Sequence, residues 1–325
     1  MEAVWDILSF TGKAVIFFVT FAACTAVLFS RVRRRSRQEP HVFLREVSQR
    51  WHQNAAAIKH ALAHPKKGRL GRSPKPPKDE PSTLTKRVFV LDFKGDIMAT
   101  GVESLREEVT AIVGIAETSD EVVVRLESPG GAVHSYGLAA SQLARLREKN
   151  IPLTICVDKV AASGGYMMAC VGKQVIAAPF AVIGSIGVVA SLPNVHRLLE
   201  KHGVDYQDYT AGRYKRTVTV LGAVTDEGKA KLKEQLEETH DLFKDFIHTM
   251  RPKLDVEAVA TGEHWYGTRA VELGLIDGLS TSDDYLLERA KDARVFEVEC
   301  ERPRPLRERA ASMAYGLLTR LASPH

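Results

Sequence analysis

Cysteine is scarce in this chain and never closely spaced. Its four copies, Cys24, Cys156, Cys170 and Cys300, form no CxxC and no zinc-ligand spacing, which excludes a zinc module and a disulfide scaffold. We read them as small buried packing residues, with a Cys156–Cys170 disulfide left open. No glycine pair is followed by Gly-Lys-Ser/Thr, so a P-loop is missing as well. The sequence has no internal repeat, and nothing in it calls for a metal, nucleotide or other cofactor. Long apolar runs are limited to one. An excess of positive charge is absent from most of the chain. The net charge of +5 hides +12 between Arg31 and Arg87, against about −6 over residues 88–325. A basic segment beside a weakly acidic body argues against a nucleic-acid-binding core and for an arm next to a membrane.

The one apolar run, Ala14 to Phe29, holds sixteen residues without a charge. Extended back to Ile7 it holds 23 residues with only Lys13 inside, and a lysine near a helix end can snorkel. Spanning a bilayer takes roughly 20 residues, so residues 1–30 read as an N-terminal transmembrane helix that meets membrane lipid, with Trp5 at the interface. A cleavable signal peptide would want a basic start and polar sequence after a small-residue site. Here Glu2 and Asp6 precede the run and "RVRRRSR" ends it. A lipid-modified Cys24 is a poorer alternative, because apolar sequence continues beyond it. The cluster Arg31, Arg33, Arg34, Arg35 and Arg37 favours a cytoplasmic side for the C-terminal body. Residues 31–86 form a basic juxtamembrane segment and linker. His41 to Ala63 reads as a polar helix, and five prolines between Pro65 and Pro81 make an extended tether.

From Arg87 the pattern alternates. Strands are expected at "RVFVLDF", "EVVVRLE", "PLTICV", "KQVIAAP", "AVIGSIGVV" and Asp205–Thr210. Helices are expected at Val102–Thr118, Ser135–Lys149, Gly164–Cys170 and Asp226–Met250. This order implies an α/β domain with parallel crossovers over residues 87–300. The tail, residues 301–325, carries Leu306, Ala310, Met313, Leu317, Leu318 and Leu321 on one stripe. That is an amphipathic helix suited to docking on its own domain or a sister subunit.

Two glycine turns each follow a strand, Ser128-Pro129-Gly130-Gly131 and Ser163-Gly164-Gly165. In an open parallel sheet, ligands bind beyond the carboxyl ends of strands, so both turns can face one cleft. Adjacent glycines let amide N–H groups converge with no Cβ in the way, which suits an oxyanion. Ser163 suits either a nucleophile at the start of a helix or a plain helix N-cap, and "SPGG" suits either an oxyanion loop or a plain turn. A nucleophilic serine needs a base. His134, which follows the first glycine turn without an evident orienting carboxylate, and the scattered His196, His202, His240, His248 and His264 are candidates. Lys159 lies four residues before Ser163, and Lys215 lies in the glycine-containing loop "AGRYKRTVTV". A lysine base has to be neutral, which requires an apolar, partly closed site.

Taken together, "RLESPGG", "DKVAASGGYMMAC", "IGSIGVV", "AGRYKRT" and "TGEHWYGTRAVELGLID" resemble the signal peptide peptidase A family of Ser-Lys serine peptidases. The similarity runs from about Arg87 to Ser282. The resemblance implies a ClpP/crotonase-like spiral fold in an inner-membrane protein, with Ser163 as nucleophile and Lys215, 52 residues later, as general base. It places Gly130 and Gly131, with Gly164 beside them, in the oxyanion hole. Lys159 does not match the base and is expected to be structural or substrate-facing, and Asp277 in "GLID" to be structural. Family members form rings or bowls, so the resemblance also implies a homo-oligomer acting on peptides such as signal-peptide remnants or membrane-protein fragments. Relatives often place the peptidase body outside the cytoplasm, opposite to what the arginine cluster favours. Two rival readings are a crotonase-class acyl-CoA enzyme, for which Glu127 is the only nearby acid, and a non-catalytic membrane-tethered scaffold, against which the presence of both Ser163 and Lys215 speaks.

Overall fold

The computed structural model describes residues 41–63 and 84–301. The expected membrane anchor, arginine cluster, proline-rich tether and C-terminal amphipathic helix all lie outside the described residues. Among the described residues no helix is long and apolar enough to cross a membrane.

Among the described residues ten strands follow in order: β1 His41–Glu46, β2 Arg87–Lys94, β3 Glu121–Glu127, β4 Leu153–Val157, β5 Val160–Ala162, β6 Gln174–Ala177, β7 Val182–Gly184, β8 His264–Tyr266, β9 Gly278–Leu279 and β10 Arg294–Glu301. Seven form one sheet in the order β1-β10-β2-β3-β4-β6-β9, and β5-β7-β8 form a second, three-stranded sheet. From β10 through β9 every pairing in the large sheet is parallel. The α/β class expected from the alternation is the observed one.

Both faces of the large sheet are covered, which explains why its strands read as near-continuous apolar runs. With side chains alternating at period two, Phe89, Leu91, Phe93, Val122, Val124 and Leu126 enter a core with Leu105, Val109, Ile112, Ala139 and Leu143. Those partners come from the helices Val102–Ile115 and Val133–Glu148. On the opposite face Val88, Val90, Val123, Cys156 and Ile176 meet Leu286, Ala290 and Val295. Cys156 and Cys170 are buried and unpaired, so the disulfide alternative falls away. Burial pushes the Cys170 thiol up to about 12.

Several segments differ from expectation. His41–Ala63 is not one helix but β1 followed by the helix Ser48–Ala63. Cross-strand partners decide this: Glu46 pairs with Arg294 at 2.7 Å, Arg45 pairs with Glu297, and buried Val47 donates its N–H to the Val295 carbonyl. Asp205–Thr210 is no strand; every residue there except Tyr206 is exposed, and no ladder partner lies alongside. "AVIGSIGVV" contributes only Val182–Gly184, and β10 is a strand beyond those expected, although "VFEVECE" alternates. Asp226–Met250 is helical over the expected span, capped by the Thr225 hydroxyl, which accepts the Gly228 N–H at 3.0 Å. Asp277 accepts the Val175 N–H at 2.7 Å and pairs with Arg251, a structural part.

Where the Val102–Ile115 helix hands over to β3, Asp120 is 1% exposed. Its carboxylate accepts from Arg87 at 2.5 Å and 3.0 Å and from the Glu117 N–H at 2.8 Å. Burial alone would raise its pKa, but the Arg87 and Glu117 hydrogen bonds outweigh it and hold the carboxyl below its ordinary value. A depressed carboxyl stabilises the fold above its unfolded pKa of about 3.9, and that contribution fades as pH falls through the folded value. Asp120→Asn should therefore cost about 2 kcal/mol at neutral pH. Urea titrations should show the gap from the parent narrowing in acid; an equal gap at pH 7 and pH 3 would contradict the assignment.

Candidate active site

The site forms where β3 and β4 end. The chain leaves β3 at Glu127 into Ser128–Ala132, and leaves β4 through a tight turn into β5, which delivers Ser163. Ser128 carries the pairing one step past β3: its N–H donates to Val160 O at 2.8 Å, and its carbonyl accepts the Ala162 N–H at 3.0 Å. This bridge lays the two glycine turns against each other. A Cβ on Gly130, whose φ is +89°, would stand 2.8 Å from Ser163 Cβ and 2.8 Å from Gly164 N. Only glycine supplies both that φ and that closeness.

Ser163 has φ +53° and ψ −120°, a conformation costing of order 1–3 kcal/mol for a residue with a Cβ. Its N–H donates to Gly184 O at 2.8 Å and its carbonyl accepts the Met167 N–H at 3.0 Å, so both neighbours fix the strained turn. Ser163 occupies the N-cap position of the helix Gly164–Ala169, yet its hydroxyl makes no capping hydrogen bond. The hydroxyl is therefore free of the role that competed with nucleophile in the sequence. It lines a cavity of about 890 Å³ together with Gly130, Gly131, Ser185, Lys233 and His240.

The amides around Ser163 are used unequally. Gly130 N–H donates to Ser128 Oγ at 3.1 Å and is spent within the loop. Gly131 N–H has no partner among the described residues. Gly164 N–H, at the first helical position, has no intrahelical acceptor. Two unused donors thus belong to the two turns that meet at the serine, and neither tolerates a side chain. A Cβ on Gly131 would sit 2.1 Å from Ile97 O, and one on Gly164 would sit 2.4 Å from Tyr136 Cγ.

Ser163, Gly130, Gly131 and Gly164 are brought together, and Lys215 is not with them. It is exposed, its N–H donates to Gly212 O at 3.1 Å, and it is absent from the cavity lining. Its neighbours are held against the long helix: Arg213 pairs with Glu227 at 2.7 Å, and Lys231 lies over the Tyr214 ring. Lys159 pairs with Glu127 at 3.1 Å, and His134 is exposed. The cavity wall includes residues whose role the sequence does not disclose. Lys233, Glu237 and His240 share one face of the long helix at helical spacing, and His240 Nε2 is buried without a partner. Ser185, at φ +51°, follows a glycine inside "IGSIG", a signal that strand propensity obscured.

Comparison with known proteins matches residues 145–296 to "Peptidase family S49" and residues 2–143 to "Peptidase family S49 N-terminal". The chain is 61% identical over 212 residues to a probable protease SohB of Haemophilus influenzae, covering 65% of this chain and 60% of that one. It is 51% identical to a probable protease SohB of Buchnera aphidicola, covering 71% and 69%. With a putative signal peptide peptidase SppA of Enterococcus faecium it shares 29% identity, covering 67% of each. The matched stretch thus spans 60% of the Haemophilus relative and 69% of the Buchnera one. A solved membrane-bound stomatin-specific protease with a substrate peptide overlays at TM-score 0.41 and 17% identity, covering 63% of this chain and 80% of that one. The Plasmodium falciparum ClpP catalytic domain overlays at 0.37 and 10%, covering 60% and 85%. Both overlays fall below the level at which a shared fold follows. The two family matches and the SohB relatives agree, and the chain belongs to peptidase family S49.

Proposed function

We propose that this chain is a membrane-anchored serine endopeptidase with Ser163 as nucleophile and Lys215 as general base. The observation that carries the reading is the Ser163 hydroxyl itself. It stands on a strained turn, makes no cap, lines a cavity, and sits where two turns with unused amides meet. The Lys215 amine takes the Ser163 proton, and Oγ attacks the peptide carbonyl carbon. The oxyanion forms against the Gly131 and Gly164 N–H groups, with Gly130 shaping the loop rather than donating. The lysine ammonium then protonates the leaving amine, and water hydrolyses the acyl-enzyme. The stretch Gly187–Val189 lines the same cavity and carries no ladder bond, which supports an extended peptide docking there as an added strand. Signal-peptide remnants and membrane-protein fragments fit the apolar part of that lining.

The position of Lys215 is accounted for by assembly. It sits on an exposed stretch beside exposed Tyr209, Tyr214, Val220 and Leu221, a surface suited to a second copy. Packing against a neighbour also excludes water, as a neutral lysine requires. In this reading a head-to-tail homo-oligomer presents the Lys215 of one subunit to the Ser163 of the next. The family's ClpP/crotonase-type spiral is part of the same reading, supported by the small sheet that begins where β3 and β4 end. So are the N-terminal membrane helix of residues 1–30, the linker of residues 31–86, the peptidase domain of residues 87–300 and the tail helix of residues 301–325.

Ser163→Ala and Lys215→Ala should each lower kcat on a short apolar peptide ester by about a thousandfold or more. A near-parental rate in the serine variant would remove the reading. An equal mixture of the two inactive variants, allowed to exchange subunits, should recover about a quarter of parental activity, the fraction of interfaces pairing an intact serine with an intact lysine. No recovery would place both groups in one subunit. After cell fractionation the full chain should sediment with membranes, whereas a chain lacking residues 1–40 should lose that sedimentation; retention would contradict the anchor.

A further inference from the structure

We propose that Tyr136 is the positioning residue of the oxyanion site, holding the Gly131 and Gly164 amides in mutual register through its hydroxyl and its ring together. This rests on the peptidase reading above and adds to it a residue that touches no substrate.

Tyr136 lies in the first turn of the Val133–Glu148 helix and is 0% exposed. Its hydroxyl meets two oxygens, the Asp96 carbonyl at 2.7 Å and Ser128 Oγ at 2.6 Å. A carbonyl only accepts, so the phenol proton points to Asp96. The phenol oxygen is then the acceptor for the Ser128 hydroxyl proton. That leaves Ser128 Oγ with a lone pair for the Gly130 N–H, 3.1 Å away. The donors form one directed chain, from Gly130 N–H to Ser128, from Ser128 to Tyr136, and from Tyr136 to Asp96. It terminates on a backbone carbonyl, and each proton has a single place in it. The chain fixes the peptide plane before Gly130, and with it the orientation in which the loop offers the Gly131 N–H to the cavity. Burial pushes the phenol's pKa up, so the donor stays protonated wherever the enzyme works.

The ring serves the other half of the site. Its Cγ and Cβ occupy the space that a Cβ on Gly164 would need, at 2.4 Å and 2.8 Å. Ring and nucleophile helix are therefore in direct contact at the residue that carries the second amide. A Cβ on Gly95 would likewise fall 2.3 Å from both the Tyr136 hydroxyl and Ser128 Oγ, so the strand-end that supplies the Asp96 carbonyl closes over the pair with no slack. One side chain thus spans two loops that sequence separates by 33 residues (Gly131 to Gly164). A phenylalanine would fill the same core space. What only a tyrosine adds is the bond chain to the loop.

The experiment is steady-state hydrolysis of a blocked apolar peptide ester by full-length enzyme, with binding of the matching peptide boronic acid. Tyr136→Phe should lower kcat about 10- to 100-fold while KM stays within about twofold of the parent, and boronate affinity should fall in step with kcat. Ser128→Ala breaks the same chain at its middle, so it should give a similar loss, and the double variant should be no worse than either single one. Tyr285→Phe, which removes a hydroxyl bonded to Glu121 at 2.5 Å at the other end of the sheet, should keep the parental kcat and boronate affinity. Parental kcat in Tyr136→Phe, or an equal loss of kcat in Tyr285→Phe, would overturn the inference. Ser163→Ala in the same assay separates the two layers. If that variant is dead and Tyr136→Phe is fully active, the peptidase reading stands and the positioning role falls. If Ser163→Ala stays active, both fall.

Discussion

The site depends on one short piece of backbone pairing. Ser128 exchanges two hydrogen bonds with Val160 and Ala162, one step beyond the end of β3. Without that bridge the "SPGG" turn and the "SGG" turn would belong to separate strand ends. With it, Gly130 packs on Ser163, and the unpaired Gly131 and Gly164 amides belong to turns that touch. The large sheet beneath supplies rigidity. Its central strands β2, β3, β4 and β6 are parallel, largely buried and covered by helices, so the loops at their carboxyl ends inherit a fixed spacing.

Strain and its containment explain why the Ser163 side chain stands where it does. Ser163 is held at a positive φ by a strand on one side, through Gly184, and a helix turn on the other, through Met167. Almost everything around it is buried, from Ala161 to Val171, so the turn cannot relax without moving the core. Lys215 lies in the opposite regime, on a segment with few buried side chains and no ladder. Under the proposed function, a buried serine turn and an exposed lysine segment fit a division in which one half of the chemistry is preset and the other half arrives with a second subunit.

Much of the scaffold was legible in the sequence because β2, β3 and β4 are apolar on both faces, and because the Val102–Ile115 and Asp226–Met250 helices show clear periodicity or a clean Thr225 cap. The glycine pairs signalled a convergence of turns, and their identity as neighbours followed from the parallel topology. What could not be read was long-range. β10 is a strand through its ladder with β2, far earlier in the chain, and β1 is tied to it by pairs such as Glu46–Arg294, 248 residues apart; local propensity in "HVFLRE" does not reveal such partners. The inequality between Gly130 and Gly131 was hidden for the same reason. It depends on a serine hydroxyl that the sequence offered only as part of a turn, and on a tyrosine that reads as a core residue. His240 was one histidine among several until the long helix placed it on the cavity wall.

Because both unused donors are main-chain groups, that part of the site's polarity is not written in side chains. Mutation reaches these donors by adding volume at Gly131 or Gly164, or through the Ser128–Tyr136 bonds behind them, whereas wall residues such as Val133, Val189 and Leu236 carry neither donor. A lineage can therefore retune what the pocket accepts by exchanging its walls while the chemical centre stays insulated from that drift, a separation of diversification from reactivity built into the chain's covalent geometry.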